Sequence, residues 1–316
     1  MLSALLALGL SIPAADPMPA SRTFLFTNEV KVMGLDPGKT ARIWVPVPVS
    51  TGDQDVKSVV EKLPAKGSIS RDPIYGNSIL YVETAADQEG MISLSLTYRV
   101  TRRERLAGPD KELDAIKTAR LLQADTMVPV GGKSVMLLKG KEVPPEPEKA
   151  ARLFYDTVFG HMRYSKEGEG WGRGDADWAC DSGRGNCSDF HSLFIALTRW
   201  QKIPAVFEIG FPLPEKRGEG EIPGYHCWAQ VQLKDKEWFP VDISEASKAP
   251  ARREYYFGHL NADRVLLSRG RDVDLVPKQA GGPLNYFVHA YAEVDGKPWL
   301  RVEKRYSYRD VGENDQ

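Results

Sequence analysis

Cys187, His226 and Asp242 are the residues whose types and surroundings could do chemistry together. A thiolate attacks a carbonyl carbon. An imidazole takes the thiol proton and later returns it to the leaving amine. A carboxylate fixes the imidazole tautomer and stabilises its cationic form. Cys187 lies in the run Gly185-Asn186-Cys187-Ser188-Asp189-Phe190-His191-Ser192-Leu193-Phe194. Phe190, Leu193, Phe194 and Leu197 follow it at helical spacing, so the cysteine sits on the first turn of a helix with an apolar stripe. Asn186 suits the N-cap, and Asp189 three residues on gives a variant of the capping box. Gly183 and Gly185 allow a sharp turn before it. Free backbone N–H groups and the helix dipole favour negative charge at that point, which lowers a thiol's pKa. The Cys187 N–H could donate to an oxyanion, with a second donor expected from a side chain of the Trp171–Trp178 loop.

The partners must come from a hairpin. From Tyr225 to Leu233, Cys227, Ala229, Val231 and Leu233 share the apolar face, and His226, Trp228, Gln230 and Gln232 the other. On the return, Phe239, Val241 and Ile243 alternate with Trp238, Pro240 and Asp242. The two apolar sets meet one core only if odd positions face odd positions. A three-residue loop, Lys234-Asp235-Lys236, satisfies this and sets Asp242 opposite Trp228, diagonal to His226. A diagonal pair is about 7 Å apart at the backbone, within reach of an imidazole–carboxylate hydrogen bond.

Other residues compete for these roles. His191, one helical turn from Cys187, is expected to pack or to hydrogen-bond behind the site. Cys180, Cys187, His191 and Cys227 form an alternative zinc set, but they lack the close Cys-x-x-Cys pair that anchors structural zinc. Cys227 is placed on the core face, away from His226. An odd count of three cysteines leaves at least one thiol free and permits a Cys180–Cys227 disulfide. No cofactor and no metal are called for.

The elements that must hold these residues divide the chain. Residues 22–101 read as short strands separated by Gly, Pro and Asp turns, with strict alternation in Ile92–Val100, and so as a β-sandwich. Residues 102–145 are a connector with short helical pieces near 115–122 and 135–138. Residues 146–316 form the second domain. It begins with a helix over 149–163 and an irregular wall over 168–185. A strand over 203–211, a mobile loop over 215–224 and the hairpin follow. Residues after 251 complete the sheet, with strand candidates at 264–267 and 272–275 and a last hairpin at Asp295-Gly296. A chain of 316 residues with 42% hydrophobic and 27% charged content is globular, and a net charge of -1 gives no reason to expect nucleic acid. The apolar run Leu2–Ala15 resembles a secretory leader within residues 1–21, pointing to a periplasmic or secreted protein, the alternative being cytoplasmic. No later stretch is apolar for long enough to insert stably in a membrane. Oligomeric state is not legible.

The chain resembles the transglutaminase-like superfamily, bacterial type, within the wider papain-like fold. Gly185-Asn186-Cys187 opening a helix, Ile203-Pro204-Ala205, His226-Cys227-Trp228 and Trp238-Phe239-Pro240-Val241-Asp242 carry the resemblance. It implies an α+β core, a cysteine-bearing helix packed on an antiparallel sheet, with Cys187, His226 and Asp242 catalytic. Animal transglutaminases have a bulky aromatic just after the cysteine, where this chain has Ser188-Asp189. Their calcium-binding acidic loops have no clear match here. The implied activity is acyl transfer on peptide or amide bonds through a thioester, in the hydrolytic mode, with a protein or peptide as substrate. Transamidation and a non-catalytic scaffold are the alternatives.

Overall fold

In the computed structural model, which describes residues 20–312, two five-stranded antiparallel sheets face each other and a third, four-stranded sheet lies beside them. The leader expected at residues 1–21 falls, up to Pro19, outside the described residues. No helix among the described residues is long and apolar enough to cross a membrane.

The sandwich follows from alternation. In the strand Ile92–Arg103, Ile92, Leu94, Leu96, Tyr98 and Val100 are buried while the residues between them are not. It pairs with Ser21–Val32 on one side and Gln54–Lys62 on the other. The facing sheet contains Thr40–Val47, Ser78–Ala85 and Ser68–Arg71. Both sheets are completed from the far end of the sequence. Tyr291–Val294 pairs with Thr40–Val47, and Val302–Asp310 pairs with Ser21–Val32 along nine residues. Sequence reading had placed everything after residue 251 in the second unit. Of that segment, Arg264–Arg269 joins the core sheet and His259–Leu260 pairs with Arg105–Leu106. The hairpin at Asp295-Gly296 forms, with positive φ at both residues, but its second arm is short. Parity explains the outcome: the last strand buries Tyr306 and Tyr308 on alternate positions, and the sandwich offers an apolar interior to receive them.

The third sheet runs Glu237–Val241, His226–Lys234, Ala205–Pro212, Arg264–Arg269, antiparallel throughout. The helix Cys187–Trp200 packs against it, flanked by the helices Pro147–His161 and Ala176–Ser182. This central helix is buried from Cys187 through Arg199 rather than along one stripe. Its polar residues are therefore bonded: Arg199 to Asp125 at 2.6 Å and Ser192 to Arg271 at 2.7 Å. The loop expected to be mobile over 215–224 is tied down, since Glu219–Glu221 adds a strand beside Val302–Asp310. Residues 272–275 form only a single bridge, Val273 to Leu284.

The outer edge of the core sheet is closed by side chains of the sandwich. Gln54 accepts from the Leu266 N–H at 2.8 Å and donates to its C=O at 3.1 Å. Asn77 does the same at Arg269, at 2.7 and 2.8 Å. Each amide stands in for a residue of a further strand, leaving less of the edge open to another chain. Within the sheet, Gly210 pairs with His226, and a Cβ there would meet the Val265 carbonyl oxygen at 1.7 Å. Gly210→Ala is expected to cost about 3 kcal/mol or more, because two backbones must separate. Denaturant unfolding checks this, and a loss under about 1 kcal/mol would contradict it.

Candidate active site

The cysteine helix begins as its residues dictate. Asn186 accepts from the Ser188 N–H at 2.9 Å, and Asp189 reaches back to the Asn186 N–H at 2.9 Å. The Asp189 carboxylate also takes the N–H groups of Gly172 and Gly174, at 2.7 and 2.9 Å. It thereby fastens the irregular wall to the helix. Burial pushes its pKa up to about 6 against these three hydrogen bonds, which pull it down. Gly185 is glycine for a local reason: a Cβ would sit 2.4 Å from that carboxylate.

His226 opens the central hairpin strand, and its Nε2 lies 2.7 Å from Asp242 Oδ2. That leaves Nδ1 for the Cys187 thiol, which lies near enough for thiol and imidazole to shift each other's ionisation. The three residues expected from sequence are therefore brought together. The register is also as reasoned, with Ala229 opposite Val241. The turn differs. Lys234 pairs with Glu237 across a bulge after Gln232, so the loop is Asp235-Lys236 with Lys236 at positive φ. The bulge absorbs the residue that the three-residue loop would have held.

Asp242 is saturated with donors. Oδ1 accepts from the Glu245 N–H at 3.0 Å, as N-cap of the helix Ile243–Lys248, and from Ser244 Oγ at 3.1 Å. Oδ2 accepts from His226 and from Arg264 Nη1, the latter at 2.9 Å. Arg264 is fully buried, held by Asn261 at 2.8 and 2.9 Å, and stacks on Trp228. Sequence reasoning missed it, and no local pattern marks it.

His191 lies behind the site, as expected. Its Nε2 accepts from the Ile243 N–H at 3.1 Å, and its Nδ1 lies 2.8 Å from the Cys187 carbonyl oxygen. The ring is therefore the neutral Nδ1–H tautomer, and burial holds its pKa down despite nearby Asp242. It links the start of the cysteine helix to the start of the helix capped by Asp242.

Cys227 is a correction. Its strand face is the face on which the cysteine helix lies, so the apolar side leads toward Cys187. Its thiol lies near enough to Cys187 to shift its ionisation, and its Sγ is 3.8 Å from His191 Nδ1. All three cysteines are free, so no Cys180–Cys227 disulfide forms. Cys180 Sγ rests against the Lys133 carbonyl at 3.5 Å, and the zinc set of Cys180, Cys187, His191 and Cys227 does not assemble into a metal-holding group among the described residues.

The charges follow from these contacts. Burial opposes ionisation of Cys187, but hydrogen bonds from Cys227 and His226 and the imidazolium charge outweigh it and hold the thiol well below its ordinary range. Burial and donation to that sulfur push Cys227 well above. Burial disfavours a charged His226, yet the Asp242 charge and hydrogen bond raise it to about 9. Asp242 is held well below the usual carboxylate range by His226 and Arg264, against its burial. These opposite directions favour charge separation, a thiolate facing an imidazolium. Cys187 and His226 are 1% and 3% exposed, so the pair sits in a dry environment.

In the Trp171–Trp178 loop, where a side chain is expected as second oxyanion donor, the backbone groups are already in use. The Gly172 and Gly174 N–H groups are committed to Asp189, and the Gly172 carbonyl receives the hydroxyls of Tyr225 and Tyr286 at 3.2 and 2.8 Å. Asn186 Nδ2 donates to Tyr225 at 2.9 Å.

Residues 138–243, which contain all three residues, match the model of the transglutaminase-like superfamily. This is a transglutaminase-like core. An uncharacterized protein of Haemophilus influenzae is 27% identical over 320 residues, covering 87% of this chain and 86% of that protein. Among solved structures, a Cytophaga hutchinsonii protein named "Putative Cysteine Protease" superposes with a TM-score of 0.60 over 95% of this chain and 94% of that one, at 14% identity. That likeness is one of fold, and it extends beyond the transglutaminase-like core to the sandwich. The periplasmic domain of TgpA from Pseudomonas aeruginosa gives a TM-score of 0.40 at 14% identity, over 75% of this chain and 91% of that one.

Proposed function

We propose that the protein is a cysteine hydrolase of peptide or amide bonds, with Cys187 as nucleophile, His226 as acid and base, and Asp242 as the group that orients and charges the imidazole. The observation that carries this reading is the 2.7 Å His226–Asp242 contact with the other ring nitrogen left for a thiol at a helix start. The Cys187 thiolate attacks the carbonyl carbon and a C–S bond forms. The oxyanion is met by the Cys187 N–H at the first helical position, which has no acceptor within the helix. As the C–N bond breaks, the His226 imidazolium gives its proton to the leaving amine. Water then attacks the thioester, His226 takes its proton, the C–S bond breaks, and the acid is released with the thiolate restored. A buried, donor-saturated Asp242 suits this role because it stays ionised throughout.

The leader-like run Leu2–Ala15 supports placing this chemistry outside the cytoplasm. The test is alkylation by iodoacetamide near pH 6.5, with each cysteine followed by mass spectrometry. Cys187 is expected to react on the order of 100-fold faster than Cys180 or Cys227, and Cys187→Ala to abolish cleavage of casein by the same preparation. Equal reactivity of the three thiols, or cleavage surviving the substitution, would sink the proposal. Incorporation of a fluorescent primary amine into casein in place of cleavage would turn it to transamidation.

A further inference from the structure

We propose that the acyl substrate carries a carboxylate, read by Lys166 and Lys304 in the cleft beside the reactive pair. This rests on the hydrolase reading above and names the substrate class for the same site. A cleft of about 460 Å³ runs along the seam between the sandwich and the core. It ends on Asn186 and Tyr225, the residues directly before Cys187 and His226. A chain lying in it is thus bracketed by the neighbours of both reactive side chains.

The cleft carries one sign of charge. Lys166 and Lys304 line it, and no carboxylate does. Among the described residues neither lysine has an ion-pair partner. Most cations near the site are paired: Lys248 with Glu245 at 2.7 Å, Arg264 with Asp242, Arg269 with Glu208 at 2.7 Å. His289 lines the same cleft but adds no charge. Burial, and then the Lys304 charge, lower it to about 4, and its Nδ1 lies 2.8 Å from the Tyr306 hydroxyl. Lys304 is exposed on its strand and faces the cleft with no opposing charge, its pKa lowered by partial desolvation, so an incoming anion relieves an uncompensated cation. Trp171 and Tyr225 line the same cleft with flat aromatic faces, suited to the backbone and aliphatic stem of a peptide.

Such a substrate presents the carboxylate either as an Asp or Glu side chain or as a free chain end, and three reagents separate these. Iodoacetyl-glutamine amide is neutral, iodoacetyl-glutamic acid amide carries a side-chain acid, and iodoacetyl-glutamine carries a terminal acid. Their rates with Cys187 are measured on the full protein at low salt. At least one acid-bearing reagent is expected to react about tenfold faster than the neutral one, since a cleft of one charge sign concentrates the opposite ion. In the double variant Lys166→Gln with Lys304→Gln the ratio should collapse toward one. That control matters because the His226 imidazolium alone would favour anions equally in both proteins. A ratio near one in the wild type, or a ratio that survives in the double variant, overturns the proposal while rapid labelling by the neutral reagent keeps the hydrolase reading intact. A Cys187 that no reagent labels faster than Cys180 overturns both.

Discussion

Asp242→Asn is expected to lose about 3–5 kcal/mol of stability and to lower hydrolytic turnover on the order of 10²–10⁴-fold. Four donors converge on the two carboxylate oxygens: the Glu245 N–H and Ser244 hydroxyl on Oδ1, His226 and Arg264 on Oδ2. An amide offers one oxygen and one NH₂. Whichever way it turns, the NH₂ points at two groups that also donate. If the oxygen keeps the helix cap, His226 and Arg264 face a donor, and Arg264 is left as an unbalanced buried cation. If the oxygen serves His226, the cap is lost. The conservative substitution therefore gives no rescue over Asp242→Ala. Urea unfolding and the cleavage assay read the two effects, and a variant within about 1 kcal/mol and threefold of wild type would contradict the account.

The second large effect is in pH. Cys187 alkylation should rise less between about pH 6 and 8 than that of an ordinary thiol, because its thiol is held well below the ordinary value of 9.0. Cys180 and Cys227, both pushed upward with burial as the leading cause, should still be climbing over that interval. Hydrolysis should fall as pH rises through about 9, where His226 loses the proton it gives to the leaving amine. Stability carries the same signature. His226 rises from an ordinary 6.5, so its contribution is complete below about 6.5 and is lost as pH climbs through about 9. Asp242 is depressed, so its contribution is present above about 4 and is lost as pH falls through its lowered value. A Cys187 labelling rate that keeps rising to pH 9, or an alkaline limb near 6.5, would remove the ion pair from the mechanism.

The parts of this molecule that sequence made legible are those fixed by local periodicity. Period-two alternation placed His226 and Asp242 at one end of a hairpin, because a one-residue slip would have exposed Val231 and Val241. Helical spacing and the Asn186 cap located Cys187. What escaped depends on contacts between distant segments. Arg264 stands in a short buried strand like any other residue of its run, and only the assembled sheet brings it to Asp242. Cys227 was assigned to the right face and the wrong conclusion, because the position of the cysteine helix over that face cannot be read from the hairpin alone. The final strand was given to the wrong sheet for a related reason. Val302–Asp310 alternates equally well for either sheet, and its partner lies at the opposite end of the sequence.

That last pairing has a consequence for biogenesis. Ser21–Val32 is made well before one of its two neighbours, Val302–Asp310, which leaves the ribosome only after the whole intervening core has been synthesised. Until then its outer hydrogen-bonding rim stays open, and the nascent polypeptide must either hold it extended or shield it with a chaperone. That later strand acts as a latch. It also pairs with Glu219–Glu221, just ahead of Tyr225 and His226, so a molecule stalled short of this closure would keep Cys187, His226 and Asp242 in sequence while lacking the support for the wall beside them.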